Sequence, residues 1–171
     1  HPEMKVLYLP TYDLISRYIN STSHNSTVSA SALADSISSV DVLLVDDVQF
    51  LSGKSKTNDF FFQIYNNLVN NRKQIVITSD KSPYELNSVN IEDRLVSRFS
   101  SGLTVTITSP EFNTRLDILR QKVKEQKIGD AGNIDDDSLA YIATNCTGDV
   151  RKLEGILNQL LFTYAPFMNN L

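Results

Sequence analysis

Residues 40–47 read VDVLLVDD, and this stretch decides the fold. The run Val40–Val45 is apolar almost throughout instead of alternating, which is typical of a parallel strand covered on both faces. Two carboxylates, Asp46 and Asp47, follow it directly. Ligands of α/β sheets bind at the carboxyl ends of strands. We therefore expect this strand to present both carboxylates at a binding site.

Other segments on both sides of this strand suggest a layered α/β fold. Further strands are predicted where short apolar runs occur, at 6–9, 74–78 and 103–108. Apolar residues at helical spacing predict a helix over 57–70, with Thr57 or Asn58 as its N-cap. Alternating strands and helices imply a sheet with right-handed crossovers. After residue 109 only helical patterns follow, so we divide the chain into a partial α/β core, 1–109, and a partial all-α lid, 110–171.

Composition narrows the function classes. Among 171 residues, 16 Lys and Arg face 20 Asp and Glu, which gives a net charge of −4. Any contact with DNA must therefore come from a local basic cluster. No apolar run approaches the ~20 residues of a transmembrane segment, and no secretory leader is recognisable. The one cysteine, Cys146, fits a reducing compartment, so we expect a cytoplasmic protein.

Carboxylates end two of the predicted strands. Asp46 could hold Mg²⁺ through water beside nucleotide phosphates, and Asp47 could orient or deprotonate an attacking water. Asp80 ends the stretch QIVITSD and lies near Asp46 if the two strands are adjacent. Each signal taken alone has a plainer interpretation, a polar turn after the strand or an Asx turn before Ser82.

Basic side chains form the second group of candidates. Arg94 and Arg98 are four residues apart and share one helical face, which suits an anion of a neighbouring molecule or simply a solvated surface. Lys54 and Lys56 lie where a loop enters a helix N-terminus, which favours an anion but also describes an ordinary solubilising loop.

Arg151 begins another helix. It could reach a nucleotide bound between sheet and helical portion, or it could pair with Glu154 on the next turn.

The order of these signals is more specific than any one of them. VDVLLVDDVQFLSGK, QIVITSD, EDRLVSRF and GDVRKLEG, in that order, resemble the AAA+ domain of the bacterial chromosomal replication initiator family DnaA. The resemblance runs from Val6 to the helix after Arg151. It implies a P-loop NTPase-type parallel sheet and a helical lid that bind ATP or ADP with Mg²⁺. It also implies origin DNA, self-association into a filament and a replicative helicase as partners, with ATP as a slowly hydrolysed assembly switch.

The resemblance also implies roles for the nucleotide-site residues. Asp46 matches the Mg²⁺-binding residue of the Walker B pair and Asp47 the residue that acts on the hydrolytic water. Asp80 matches sensor 1, and Arg151 matches sensor 2, which reads the γ-phosphate from the lid.

Other matched positions concern partners. Arg98 matches the arginine finger that acts on ATP in the neighbouring subunit, and Arg94 matches the arginine that supports subunit contact. Lys54, Lys56 and Ile19 match positions that contact single-stranded DNA.

The sequence lacks one motif that the resemblance requires. G-x-x-x-x-G-K-[ST] does not occur, and in this family the P-loop precedes the strand at Val6. We therefore expect a truncated initiator that also lacks the C-terminal DNA-box-binding domain. Without the central strand these residues should fold poorly and neither bind nor hydrolyse ATP alone. The alternative is a natural non-ATPase, an AAA+-like adaptor or regulator of the initiator, or a helicase loader.

Overall fold

The computed structural model describes residues 3–23, 26–125 and 134–168, with side chains up to residue 163. The chain divides into two compact units, His1–Thr104 and Val105–Leu171. The boundary between them lies five residues before the one predicted from the sequence, between residues 109 and 110.

The first unit is built on a three-stranded sheet. Its strands are β1 (Val6–Pro10), β2 (Val42–Asp46) and β3 (Gln74–Ile77). They lie in the order β1-β2-β3 and are all parallel. The register places Pro10 opposite Asp46. The predicted α/β class is therefore confirmed, and β2 and β3 are adjacent, which is the condition for Asp80 to lie near Asp46.

Helices follow and cover the strands of this unit. They are α1 (Thr11–Ser21), α2 (Ala30–Ser38), α3 (Ser55–Asn70), α4 (Pro83–Ser88) and α5 (Asp93–Ser100), with a 3₁₀ turn at Val48–Leu51. The apolar face predicted for α3 is confirmed, because Phe61, Ile64 and Leu68 are all buried.

The two faces of the sheet differ. Leu9, Leu43 and Val45 on one face are buried. On the other face Tyr8 is 58% and Val76 45% exposed. Within the described residues β2 itself is buried on one face and half-buried on the other, at Val42 and Leu44, so the expected cover on both faces is only partly present.

The strand predicted over 103–108 does not form. Residues 103–110 adopt neither helix nor strand, and Leu103 and Ile107 are 93% and 94% exposed. A strand exists only by hydrogen bonding to a neighbouring strand. In the described part of the chain this segment has no such neighbour, so its β-propensity is not realised.

The start of α3 corrects another prediction. The helix begins at Ser55 with Lys54 as its N-cap, so neither Thr57 nor Asn58 is the cap. Both lie buried in the first helical turns. The Asn58 amide donates to the carbonyl oxygens of Leu51 and Lys54, at 3.0 Å each. Asn58 thus closes the preceding loop from inside the helix.

Helix α4 is not among the elements predicted from the sequence. The backbone N–H and hydroxyl of Ser82 donate to the Glu85 carboxylate at 2.8 and 2.7 Å. These bonds lower the pKa of Glu85. Ser82 and Glu85 form a capping box with proline at the first helical position, a signal that the sequence does contain.

In its described residues the second unit contains three helices, α6 (Phe112–Glu125), α7 (Asp136–Asn145) and α8 (Val150–Met168). Leu119, Ala143 and Leu157 are at the centre of its apolar core. The Arg115 guanidinium donates to the carbonyl oxygen of Ala143 at 2.8 Å and thereby ties α6 to α7. Across the described residues, no helix combines the length and the apolar character needed to span a membrane.

Candidate nucleotide site and partner-facing residues

Asp46 is the last residue of β2, and its side chain is held by one hydroxyl group from β1 and one from the residue that follows β3. The Tyr8 hydroxyl donates to Oδ2 at 2.6 Å, and the Thr78 hydroxyl donates to Oδ1. The Thr11 hydroxyl donates to the Asp46 backbone carbonyl at 2.8 Å. Hydrogen bonding to Asp46 raises the pKa of Tyr8, so the phenol remains a donor at neutral pH. The orientation of the Asp46 carboxylate is therefore set by the sheet.

Asp47 occupies a left-handed conformation, with φ 57° and ψ 52°, where the chain turns into the 3₁₀ segment. Its backbone N–H donates to the Thr78 hydroxyl at 3.0 Å. Its carboxylate accepts the Gln49 side-chain amide at 3.1 Å. Non-glycine residues with positive φ are uncommon and cluster at functional sites. This turn, and not the alternation of side chains along β2, therefore sets the direction of the Asp47 carboxylate.

Asp80 follows β3 and is linked to the same region. Its backbone N–H donates to the side-chain oxygen of Gln49 at 3.4 Å. The Val48 backbone N–H donates to the Thr78 carbonyl at 3.0 Å. The loops after β2 and β3 are therefore joined, as adjacent parallel strands predict. The sensor role of Asp80 stays a prediction.

Three residues of this cluster, Tyr8, Thr78 and Gln49, were not predicted. Thr78 could have been found, because it is a polar residue at the end of an apolar strand. Tyr8 gives no signal, since an aromatic residue inside a short apolar run is typical of a strand core. Gln49 follows the carboxylate pair but needs the 3₁₀ turn to bring it back toward Asp47.

The donor chemistry of the cluster fits Mg²⁺. Carboxylate oxygens are ligands that this ion prefers, and it commonly keeps several of its waters. A carboxylate offers about four acceptor positions, so Asp46 can accept two hydroxyls and still meet a metal-bound water. No group of three or more Asp, Glu, His or Cys residues forms a direct metal cage in the described ranges. The arrangement therefore suits a hydrated cation held through Asp46.

Arg94 and Arg98 lie four residues apart in α5, as predicted, but their surroundings differ. The Arg94 guanidinium pairs with the carboxylates of Asp59 and Glu92. The Arg98 side chain is exposed and has no polar partner among the described residues.

The basic loop lies at the start of α3. Gly53 adopts φ 69°, and the Lys54 ammonium donates to the Phe50 carbonyl at 2.9 Å. Lys56 is exposed. Ile19 on α1 is 58% exposed. Helices α1 and α3 pack together through the stacked rings of Tyr18 and Phe60, 4.7 Å apart. Ile19 and the two lysines thus lie on adjacent helices.

Arg151 is exposed in the first turn of α8, in the second unit. The pairing with Glu154 is not formed in the described structure. Glu154 instead meets the Lys122 ammonium at 3.2 Å, which raises the pKa of Lys122. The predicted contact of Arg151 with nucleotide stays a prediction.

A parallel α/β sheet with a carboxylate pair at a strand end is typical of nucleotide-binding domains, and the helical unit that follows agrees with the AAA+ class that the sequence resembles. Residues 1–106 match the family described as the bacterial DnaA ATPase domain. The chain belongs to that family, and the resemblance seen in its sequence is confirmed.

Known relatives agree with this assignment. The chromosomal replication initiator protein DnaA of Spiroplasma citri is 49% identical over 122 residues, which is 71% of this chain and 26% of that protein. Domain III of the Thermotoga maritima replication initiation protein DnaA aligns with a TM-score of 0.85 and 30% identity, covering 97% of this chain and 66% of that one.

Two ligand-bound structures are also similar. AMPPCP-bound DnaA from Aquifex aeolicus aligns with a TM-score of 0.80 and 32% identity, over 96% of this chain and 48% of that one. A DnaA bound to AMPPCP and single-stranded DNA aligns with a TM-score of 0.78 and 34% identity, over 94% and 46%. The chain thus spans between about a quarter and two thirds of these relatives.

Proposed function

We propose that this chain is part of an ATP-dependent replication initiator that assembles at the chromosomal origin, binds DNA and opens the duplex. The observation that carries the proposal is the Asp46 carboxylate, which the hydroxyl groups of Tyr8 in β1 and of Thr78, directly after β3, orient at the end of β2. Relatives bound to AMPPCP, and in one case also to single-stranded DNA, support both ligand classes. Such a protein works in the bacterial cytoplasm, where the chromosome lies.

At the nucleotide site, Asp46 would hold Mg²⁺ through water, and Asp47 would orient the attacking water and accept its proton. When bound, Mg²⁺ neutralises charge that develops on the phosphates. Asp80 would sense the terminal phosphate from the end of β3, and Arg151 would do so from the helical unit. ATP or ADP is the nucleotide, and slow hydrolysis makes ATP a switch for assembly.

Partner contacts would use the exposed basic residues. Arg98 has no polar partner in the described chain, which suits an arginine that completes the nucleotide site of the next subunit in a filament. Lys54 and Lys56, together with Ile19 on the adjacent helix, would hold single-stranded DNA through phosphate charge and apolar contact. The replicative helicase would be the next partner to arrive.

The test is nucleotide-dependent assembly of the full-length gene product. Analytical ultracentrifugation compares the protein with ATP and Mg²⁺ against ADP and Mg²⁺. We expect large assemblies with ATP only, and we expect Arg98→Ala to abolish them without changing ATP affinity. Arg72→Ala, which changes an arginine at the turn between α3 and β3, is the matched control. Assembly that is indifferent to the nucleotide would contradict the proposal.

A further inference from the structure

The charge of Arg94 is compensated inside the chain. Its guanidinium pairs with Asp59 of α3 and with Glu92, where Nε lies 2.7 Å from the carboxylate. The same guanidinium lies over the Phe62 ring, 4.6 Å from the ring centre, a favourable cation–π geometry. Two anions and one aromatic face thus surround a side chain that is 42% exposed. Arg94 therefore finds within its own chain the anions and the aromatic ring that an interface arginine would contact on a neighbouring subunit.

The contacts of Arg94 are part of a set of polar contacts that join the start of α3 to the start of α5. The Ser55 hydroxyl donates to the Glu92 carboxylate at 3.2 Å. The Gly53 backbone N–H donates to the Asn90 carbonyl, also at 3.2 Å. The basic loop is therefore fastened to the segment that leads into α5.

The other end of α5 is held by aromatic packing. The Phe99 ring lies 6.3 Å from Phe61 and 6.2 Å from Tyr65, both on α3. The Tyr65 hydroxyl donates to the Arg98 backbone carbonyl at 3.2 Å. Between these two attachments the Arg98 side chain is exposed and has no polar partner in the part of the chain that the structure describes.

We infer that Asp59 is a positioning residue: by holding Arg94 it fixes α5 on α3 and sets the direction in which Arg98 meets an anion of a second copy of this chain. Arg94 then supports subunit contact from within its own chain, by fixing the helix, and not by touching the neighbour. The inference rests on the proposed function for the identity of that anion, a bound nucleotide.

Hydrogen exchange tests the positioning directly. Full-length protein is kept with ADP at a concentration where it is monomeric, and exchange is followed in peptides that cover α5. Asp59→Ala and Arg94→Ala should each make α5 amides exchange about two- to fivefold faster, as expected for a partly exposed ion pair. Asp35→Ala, at an exposed acid of α2, is the matched control and should change nothing. Unchanged α5 exchange in Asp59→Ala would overturn the inference.

A double-mutant cycle on assembly supplies the second readout. ATP affinity should be unchanged, whereas the protein concentration needed for assembly should rise by about two- to fivefold in either single variant. The double variant should be no worse than Arg94→Ala alone, because Arg94→Ala already removes the ion pair that Asp59→Ala breaks. Asp59→Glu should restore assembly. If Asp59→Ala weakened assembly as much in the Arg94→Ala protein as in the unmodified protein, Asp59 would not act through Arg94, and the inference would be overturned.

The two readouts separate this inference from the proposed function. If the proposed function fails, the unmodified protein does not assemble with ATP. The exchange of α5 amides in the monomer still decides whether Asp59 holds the helix in place.

Discussion

Asn58 lies in the first turns of α3, just after the loop that carries Lys54, and it is only 1% exposed. Its amide nitrogen donates to the Leu51 and Lys54 carbonyls, whereas its side-chain oxygen is buried without a hydrogen-bond partner. Asn58→Ala removes two hydrogen bonds that each stabilise the fold by about 1 kcal/mol, and removal of the buried unpaired oxygen offsets about 1 kcal/mol of that loss. The net loss is about 1 kcal/mol. Asn58→Asp keeps the oxygen and places a second acceptor against two carbonyls, at a cost of about 3 kcal/mol or more.

Hydrogen exchange in the full-length protein measures this difference locally. For amides in the first turns of α3, about 1 kcal/mol corresponds to roughly fivefold faster exchange, and about 3 kcal/mol to more than a hundredfold. Peptides from α7 serve as the internal control. If Asn58→Asp exchanged no faster than Asn58→Ala, the amide nitrogen would not be the group that closes the loop.

Three further predictions concern charge. Lys54→Ala with Lys56→Ala should weaken the binding of single-stranded DNA and lower the slope of log K against log salt concentration by about 1–2, with ATP affinity intact. Fluorescence anisotropy at several salt concentrations checks this, and unchanged DNA affinity would refute the assignment. Asp47→Asn should slow ATP hydrolysis by about 10²–10⁴-fold while nucleotide binding persists, and a single-turnover assay that finds normal hydrolysis would exclude Asp47 as the base. The Lys73 ammonium, 2.6 Å from Asp41, lowers the pKa of that carboxyl, so its stabilising effect is present above the unfolded pKa of about 4 and lost as the pH falls through the lower folded value. Thermal midpoints of the unmodified protein and Asp41→Asn should therefore differ by a constant amount from pH 6 to 8, and the difference should shrink as the pH falls below about 4. A difference that did not shrink in acid would contradict this interpretation.

Much of the sheet and its carboxylates could be predicted from the sequence because the signals are local. The apolar run before Asp46 forms β2, and the helical spacing of Phe61, Ile64 and Leu68 buries one face of α3. A local pattern shows which side of a helix or strand is apolar. In β2 and α3 that apolar side is also the one that packs into the core.

The failures depend on partners that a single segment does not reveal. Residues 103–108 have strong β-propensity, yet propensity becomes a strand only beside another strand. Asparagine is a common helix N-cap residue, but the Asn58 amide is buried and donates to the Leu51 carbonyl, seven residues earlier. Its side chain therefore closes the preceding loop and does not cap the helix. Tyr8 looks like a core residue, and only the pairing of β1 with β2 brings its hydroxyl to Asp46.

The most direct test of the account is equilibrium binding of ATP with Mg²⁺, measured in parallel on the full-length gene product and on these 171 residues alone. The account predicts tight, stoichiometric binding by the full-length protein that weakens in Asp46→Ala, and negligible binding by the 171 residues, which contain no P-loop. Tight binding by the 171 residues alone, or none by the full-length protein, would contradict it.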